Sequence, residues 1–208
     1  MRHFNVHWPG IVLICVYLCL FTLSSARADS LSSNEESQLF QVYATDQLKE
    51  AFRQISLSFD DLSQDDMVLR RDEDKTYLYV GMRREGKNYY TFDVSNKLDP
   101  KLVFSIKGGD GEYARLAQAW SRPTITQIRI GTTVMDVMII GGGYDVSQDD
   151  KAIRSVDSSG NAIFIIDANT GIKLYEITSD DADLKISEMQ YSITGRISTI
   201  DRDADGLA

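Results

Sequence analysis

The 208-residue chain carries 22 lysines and arginines against 31 aspartates and glutamates, and its two histidines and two cysteines all precede Ala28. Beyond that point there is no imidazole and no thiol, which excludes Ser-His-Asp and Cys-His nucleophilic catalysis, zinc sites built on His or Cys, and disulfides. No basic block is present to grip phosphates, which argues against nucleic-acid binding. The ligand chemistry left is hard oxygen, which suits calcium or magnesium.

Residues 1–28 have the layout of a secretory signal. Met1 to Gly10 carries Arg2 and no acid, Ile11 to Leu23 is a nearly unbroken apolar run, and Ala26-Arg27-Ala28 sets small residues two apart before Asp29. The run is shorter than the roughly twenty residues a bilayer-crossing helix needs. Cleavage before Asp29 is expected, with no stable membrane span afterwards; an uncleaved anchor is the alternative. Cys19 follows Val16-Tyr17-Leu18 rather than the small residues of a lipoprotein signal. Cleavage leaves 20 basic against 31 acidic residues and a single tryptophan, Trp120.

From Glu35 to Ile55 the apolar residues Leu39, Phe40, Tyr43, Leu48, Phe52 and Ile55 recur mostly three to five apart, the spacing of one amphipathic helix or two short ones. Asp60 to Asp74 is acidic and polar and reads as a linker, so residues 29–75 form a helical segment and linker. From Thr76 the texture becomes β-rich. Runs at Thr76–Val80, Tyr89–Val94, Leu102–Ile106, Thr124–Ile130, Val134–Ile140, Ala162–Asp167, Lys173–Ile177 and Arg196–Ile200 alternate with Gly, Asn, Asp and Pro. Short strands with regular turn signals predict an antiparallel sandwich, barrel or propeller.

An internal repeat narrows that choice. Asn88 to Val94 followed by Lys101 to Ile106 parallels Asn161 to Asp167 followed by Ile172 to Ile177: a strand ending at or near Asp, a turn, and a second strand. Ala168-Asn169-Thr170-Gly171 suits a hairpin, because Asn and Gly tolerate positive φ. The units lie 73 residues apart, longer than a propeller blade of roughly 40 to 45 residues, so an insertion or an intervening blade is required. By the same measure, residues 76–208 make about three blades.

Five features stand outside the strands. Gly141 to Gly143 reads as close strand packing, with no phosphate-loop lysine beside it. Asp145, Gln148, Asp149 and Asp150 form either a second cation site or a solvated loop, and Asp180, Asp181 and Asp183 read as a surface cluster. Trp120 is expected to pack between sheets rather than to stack on a ligand. Finally, Asp201-Arg202-Asp203-Ala204-Asp205-Gly206-Leu207 places carboxylates at loop positions one, three and five, with Gly at six and the carbonyl of Leu207 at seven. That is the start of a calcium loop, or a solvated acidic tail.

Gly141 to Asp150 followed by Gly160 to Gly171 resembles the signature of the C-terminal β-propeller of PilY-type proteins, the type IV pilus biogenesis and tip adhesin family. Tyr79 to Gly86 with Tyr89-Tyr90, and Ala119-Trp120-Ser121-Arg122-Pro123, resemble the same domain in the same order. Tyr43 to Ile55 is similar to the last helix of the von Willebrand A-like domain that precedes the propeller in longer relatives. The resemblance implies a mainly β chain: a partial, about three-blade propeller of antiparallel sheets over residues 76–208, behind a short helical segment. It implies no enzyme activity, but a calcium-binding role in pilus assembly, adhesion or twitching motility. Its partners would be pilins or minor pilins and a host or surface ligand, at the periplasm, outer membrane or pilus tip of a Gram-negative bacterium. The implied calcium ligands are Asp201, Asp203, Asp205 and Leu207; the family completes this loop with an acid at position nine, one residue beyond Ala208. The alternative is a non-catalytic quinoprotein-like scaffold of the cell envelope, since those propellers share the hairpin pattern.

Overall fold

The computed structural model describes residues 46–54, 67–180 and 182–208. The expected signal at 1–28 and the first half of the expected helical segment lie outside the described residues. What is described of that segment is a helix, α1 (Asp46–Gln54), with Asp46 in its first turn and Arg53 in its last. These charges complement the helix dipole. Leu48 and Phe52, four apart and therefore on one face, are both buried.

The rest is β structure in two sheets. Strands β1 (Met67–Asp72), β2 (Lys75–Gly81), β3 (Tyr89–Asp93) and β4 (Lys101–Ile106) form an antiparallel meander in chain order. Strands β5 (Thr124–Ile130), β6 (Thr133–Gly141), β7 (Ala162–Asp167) and β8 (Lys173–Thr178) form a second, to which a two-residue β9 (Leu184–Lys185) adds parallel to β8. The fold is mainly β and partially propeller-like, as expected.

Two details differ from the sequence reading. Met67–Asp72 is a strand, although it falls in the stretch read as linker: four of its six residues are buried in succession. A strand covered on both faces shows no alternation, and this one is followed by acids. Arg196–Ile200 is not a strand. Its Arg196 Nε donates to Thr124 Oγ1, and the Ile197 carbonyl accepts from the same hydroxyl, so side-chain bonds hold it where ladder bonds were expected.

The described residues form two sheets rather than three blades. The length that implied a third is spent on the long connections 107–123 and 142–161. The repeat is the second half of each sheet: β3–β4 corresponds to β7–β8, with no blade between. Counted back from the aspartates that end β3 and β7, both pairs carry a register shift at the same step, between Thr91 and Phe92 and between Ile165 and Ile166, which sets the two strands 74 residues apart (Asp93 to Asp167) rather than the 73 read from Asn88 and Asn161. The aspartates ending β3 and β7 also do the same job. Asp93 accepts from the Ser95 N–H and hydroxyl, and Asp167 from the N–H groups of Asn169 and Thr170, so each closes its hairpin turn.

The core has two parts. Leu48 and Phe52 of α1 pack on one face of the first sheet with Met67, Leu69, Leu78, Val80 and Phe92. The opposite face, through Val68, Tyr79, Tyr89 and Ile106, meets Met138, Ile140, Ala162, Phe164 and Ile166 of the second sheet. The order of layers is therefore helix, sheet, sheet. Among the described residues no helix is long and apolar enough to cross a membrane.

Candidate functional site

Beyond β8 the chain returns along the second sheet and reaches the edge strand β5. There the Ala208 N–H donates to the Gln127 carbonyl at 2.9 Å, and Arg129 Nη2 lies 3.3 Å from Asp205 Oδ2. These contacts seat the loop Asp201–Leu207 against β5. Inside the loop, Asp201 holds the turn: Oδ1 accepts from the Ala204 N–H (2.7 Å) and Oδ2 from the Gly206 N–H (2.8 Å). Ala204 and Gly206 both have positive φ, 59° and 87°. The sequence placed glycine where the sharper of these is needed.

The three aspartates converge. One carboxylate oxygen from each of Asp201, Asp203 and Asp205 lies within 4.8 Å of the others. Calcium takes oxygens at about 2.3–2.6 Å, so ligands on opposite sides of one ion stand about 4.6–5.2 Å apart, and the triad fits that sphere. The Gly206 N–H, followed by that of Ala204, holds the Asp201 carboxyl below the ordinary carboxylate range, keeping it anionic. Leu207, the expected carbonyl ligand, lines the same surface depression as Asp203, Asp205 and Arg129, and its own N–H is bound to Asp205 Oδ1 at 2.9 Å. All three carboxylates are exposed. Arg129 is the feature that sequence reasoning missed: it pairs with Asp205, one of the three converging acids. No local signal marks it, because the two residues are 76 positions apart.

The other candidates resolve as structural. Asp145 is buried, with 3% of its surface exposed. Its carboxylate accepts from the N–H groups of Ser147 (2.9 Å), Ser158 (2.7 Å) and Ser159 (3.2 Å) and from the Ser158 hydroxyl (2.9 Å). It is a peg that organises the 145–159 loop, rather than the solvated acid or cation ligand weighed above. Asp157 plays a similar part across the chain: its Oδ2 accepts from the Ser192 N–H and hydroxyl and from Arg154, tying Ser192 to the loop. Asp149 and Asp150 remain exposed, with Asp149 accepting from the Tyr144 hydroxyl.

Burial by itself would raise the Asp145 pKa, but hydrogen bonds from Ser147 and Ser158 outweigh it and hold the carboxyl down to about 2. A group depressed in the folded state stabilises the fold above its unfolded pKa, near 4, and loses that contribution as pH falls through the folded value. Stability is therefore expected to drop by roughly 2 kcal/mol between pH 4 and pH 2 on this account. Asp145→Asn should lose a similar amount at neutral pH and flatten that limb of a denaturation-versus-pH profile.

Trp120 does not pack between the sheets. It is half-buried where three loops meet, with the Arg83 guanidinium 4.7 Å from its ring centre, Tyr144 edge-on at 6.2 Å, and its N–H donated to Gln118 at 3.0 Å. Asp180 pairs with Arg115, and Asp183 accepts from the Glu176 N–H at 2.8 Å. The glycine run 141–143 is close backbone packing, as read from the sequence. A Cβ on Gly141 would lie 2.4 Å from the Ile193 carbonyl oxygen, and one on Gly142 2.5 Å from that of Gly160.

No family model matches the chain, and no curated protein does. Among solved structures, the C-terminal domain of PilY1 from Pseudomonas aeruginosa is similar at 25% sequence identity and a TM-score of 0.39, with 55% of this chain and 21% of that chain covered. The chain thus spans about a fifth of the length of that structure.

Proposed function

We propose that this chain is an exported, non-catalytic, calcium-responsive binding module that works with type IV pili, at the cell envelope or the pilus tip, in assembly, adhesion or twitching. The observation that carries the calcium part is the convergence of Asp201, Asp203 and Asp205 within 4.8 Å of one another in a loop whose backbone is turned by Asp201 itself. The pilus part is supported by the ordered motif resemblance at Tyr79–Gly86, Ala119–Pro123, Gly141–Asp150 and Gly160–Gly171.

Calcium would supply a divalent charge that offsets the mutual repulsion of the three carboxylates. Asp201, Asp203 and Asp205 would hold it through side-chain oxygens, with Leu207 beside them. The loop is exposed and Arg129 shares Asp205, so the affinity expected is that of weak extracellular calcium modules, on the order of 10⁻⁴–10⁻³ M. Releasing Asp205 from an exposed pair of about 0.2–1 kcal/mol makes Arg129→Gln roughly one- to five-fold tighter, whereas Asp203→Asn should weaken binding by at least about tenfold. Calorimetric titration of the full chain with calcium chloride measures both. Absence of saturable calcium heat in the unaltered chain removes the calcium reading. Capture of pilins or minor pilins by the immobilised chain, with calcium and with chelator, tests the pilus reading separately.

A further inference from the structure

The connection between β6 and β7 is locked at its base and open at its tip. At the base, Asp145 and Asp157 are each 3% exposed. The Asp145 carboxylate accepts from the N–H groups of Ser147, Ser158 and Ser159, and Asp157 Oδ2 accepts from the N–H and hydroxyl of Ser192. Between these two pegs, residues 149–156 are exposed, eight in succession, and none belongs to a strand or helix. Ile153, at the tip, is 85% exposed.

Lys151 sits in this stretch and is followed by Ala152. Its ammonium donates to the Ser155 hydroxyl at 2.7 Å, a contact within the stretch itself. Arg154 is held to the base instead, 3.2 Å from Asp157 and with its guanidinium 4.7 Å from the centre of the Tyr191 ring. Among the described residues no other lysine lies in so long an exposed stretch: Lys97 has 95–99, and Lys185 has 183–188, part of which is β9. A protease takes its substrate as an extended segment, so a lysine in a ladder or tight turn is cut only when that element opens. Exposed loop tips are cut first.

A cut at Lys151 leaves the two pieces joined. Strands β5 and β6 precede it, β7 to β9 follow it, and the β6–β7 ladder from Val137↔Asp167 to Gly141↔Ile163 spans it. So do the Asp145 bonds to Ser158 and Ser159, the Gly143 N–H to the Ile193 carbonyl (3.0 Å), the Gly160 N–H to the Arg115 carbonyl (2.8 Å) and Arg70 to Asn169 (3.0 Å). We propose that the Lys151–Ala152 bond is a processing site for a lysine-directed protease, and that its product is a two-chain form of the same fold. Hydrolysis adds one water across the bond, leaving a carboxylate on Lys151 and an ammonium on Ala152. It frees Ala152 and Ile153 as a new chain end beside the intact base. The inference rests on neither the calcium reading nor the pilus reading.

Digestion of the full chain with lysyl endopeptidase under native conditions, followed by intact mass, tests it. Counting lysines from Lys75 onward, cleavage after Lys151 is expected at least about tenfold faster than after any other, releasing a fragment that begins at Ala152. The nicked chain should elute in size exclusion at the volume of the uncut chain, keep its β circular dichroism, and part into two pieces only in urea. Lys151→Gln, checked for folding by circular dichroism, should lose that fragment and leave the slower cuts unchanged. Another lysine from Lys75 onward cut first, Lys151 surviving as long as the rest, or pieces that separate without denaturant would each overturn the proposal.

Discussion

Gly143→Ala is expected to destabilise the fold by more than about 4 kcal/mol. Gly143 has φ +88°, and a Cβ there would lie 1.9 Å from the Gln118 carbonyl oxygen. The left-handed backbone alone costs an alanine roughly 1–2 kcal/mol. The clash is worse, because the atom in the way belongs to backbone that is held on both sides: Gln118 and Tyr144 form a two-bond bridge, and the Gly143 N–H donates to the Ile193 carbonyl at 3.0 Å. Neither partner can rotate away as a side chain would. A loss above about 4 kcal/mol is the consequence, a large share of the roughly 5–15 kcal/mol that stabilises a typical domain. Urea denaturation followed by circular dichroism and Trp120 fluorescence reads it directly. Gly195→Ala is the control: nothing lies within 4 Å of the added carbon, and the change should stay within about 0.5 kcal/mol. A Gly143→Ala chain with an unchanged midpoint would mean that the two connections do not meet as described.

Arg70→Met should be the most damaging change to the inter-sheet contact. Arg70 lies on β1 with only 6% of its surface exposed, and its guanidinium reaches Asp136 of β6 at 3.2 Å, Asn169 of the β7–β8 turn at 3.0 Å and the Tyr79 hydroxyl at 3.3 Å. Tyr79 in turn donates to the Ala168 carbonyl at 3.0 Å, and burial pushes its pKa up to about 12, so it remains a neutral donor at any ordinary pH. Removing the arginine leaves the Asp136 carboxylate without its counter-charge, with only the Gln127 amide still donating to it at 2.9 Å, and takes the donor from the Asn169 side-chain oxygen. Breaking a buried pair by deleting one partner costs about 3–5 kcal/mol, and Asp136 is partly open to water, so a loss near about 3 kcal/mol is expected. The double variant Arg70→Met with Asp136→Leu should recover more than half of it, because an apolar pair of similar volume carries no stranded charge. If the double variant is no better than the single one, the cost lies in packing rather than in charge.

Much of the architecture was legible because it is local. Alternation and turn residues placed β2 to β8 within a residue or so at most ends, and the Asn-Thr-Gly turn marked the β7–β8 hairpin. The repeat matched β3–β4 to β7–β8, although its spacing was read as leaving room for an intervening blade. What it did not reveal was the number of sheets, since chain length divided by a typical blade counts connections as strands. Strand β1 escaped for a related reason: Met67 to Arg70 are covered from both sides, and only the arrival of α1 on one face and the second sheet on the other makes four consecutive buried residues, one of them arginine, intelligible.

The aspartates divide along the same line. Asp201, Asp203 and Asp205 are close in the chain, so spacing alone brought their oxygens together, and the glycine at Gly206 marked the turn. Asp145 read as part of a second cation site or a solvated loop, and nothing in the sequence singled out Asp157. Both meet Ser192 across the chain: the Asp145 N–H donates to the Ser192 hydroxyl, 47 residues away, and the Ser192 N–H donates to the Asp157 carboxylate, 35 residues away, while the Asp145 carboxylate finds its N–H donors on Ser147, Ser158 and Ser159. Composition and order thus set the available chemistry: no imidazole or thiol beyond residue 28, hard oxygen ligands, short strands and a loop with three closely spaced carboxylates. Which acids face solvent, that Arg129 pairs with Asp205 in the loop, and that β8 carries a further strand were set by contacts distant in sequence, whose energies depend on burial that no local window records.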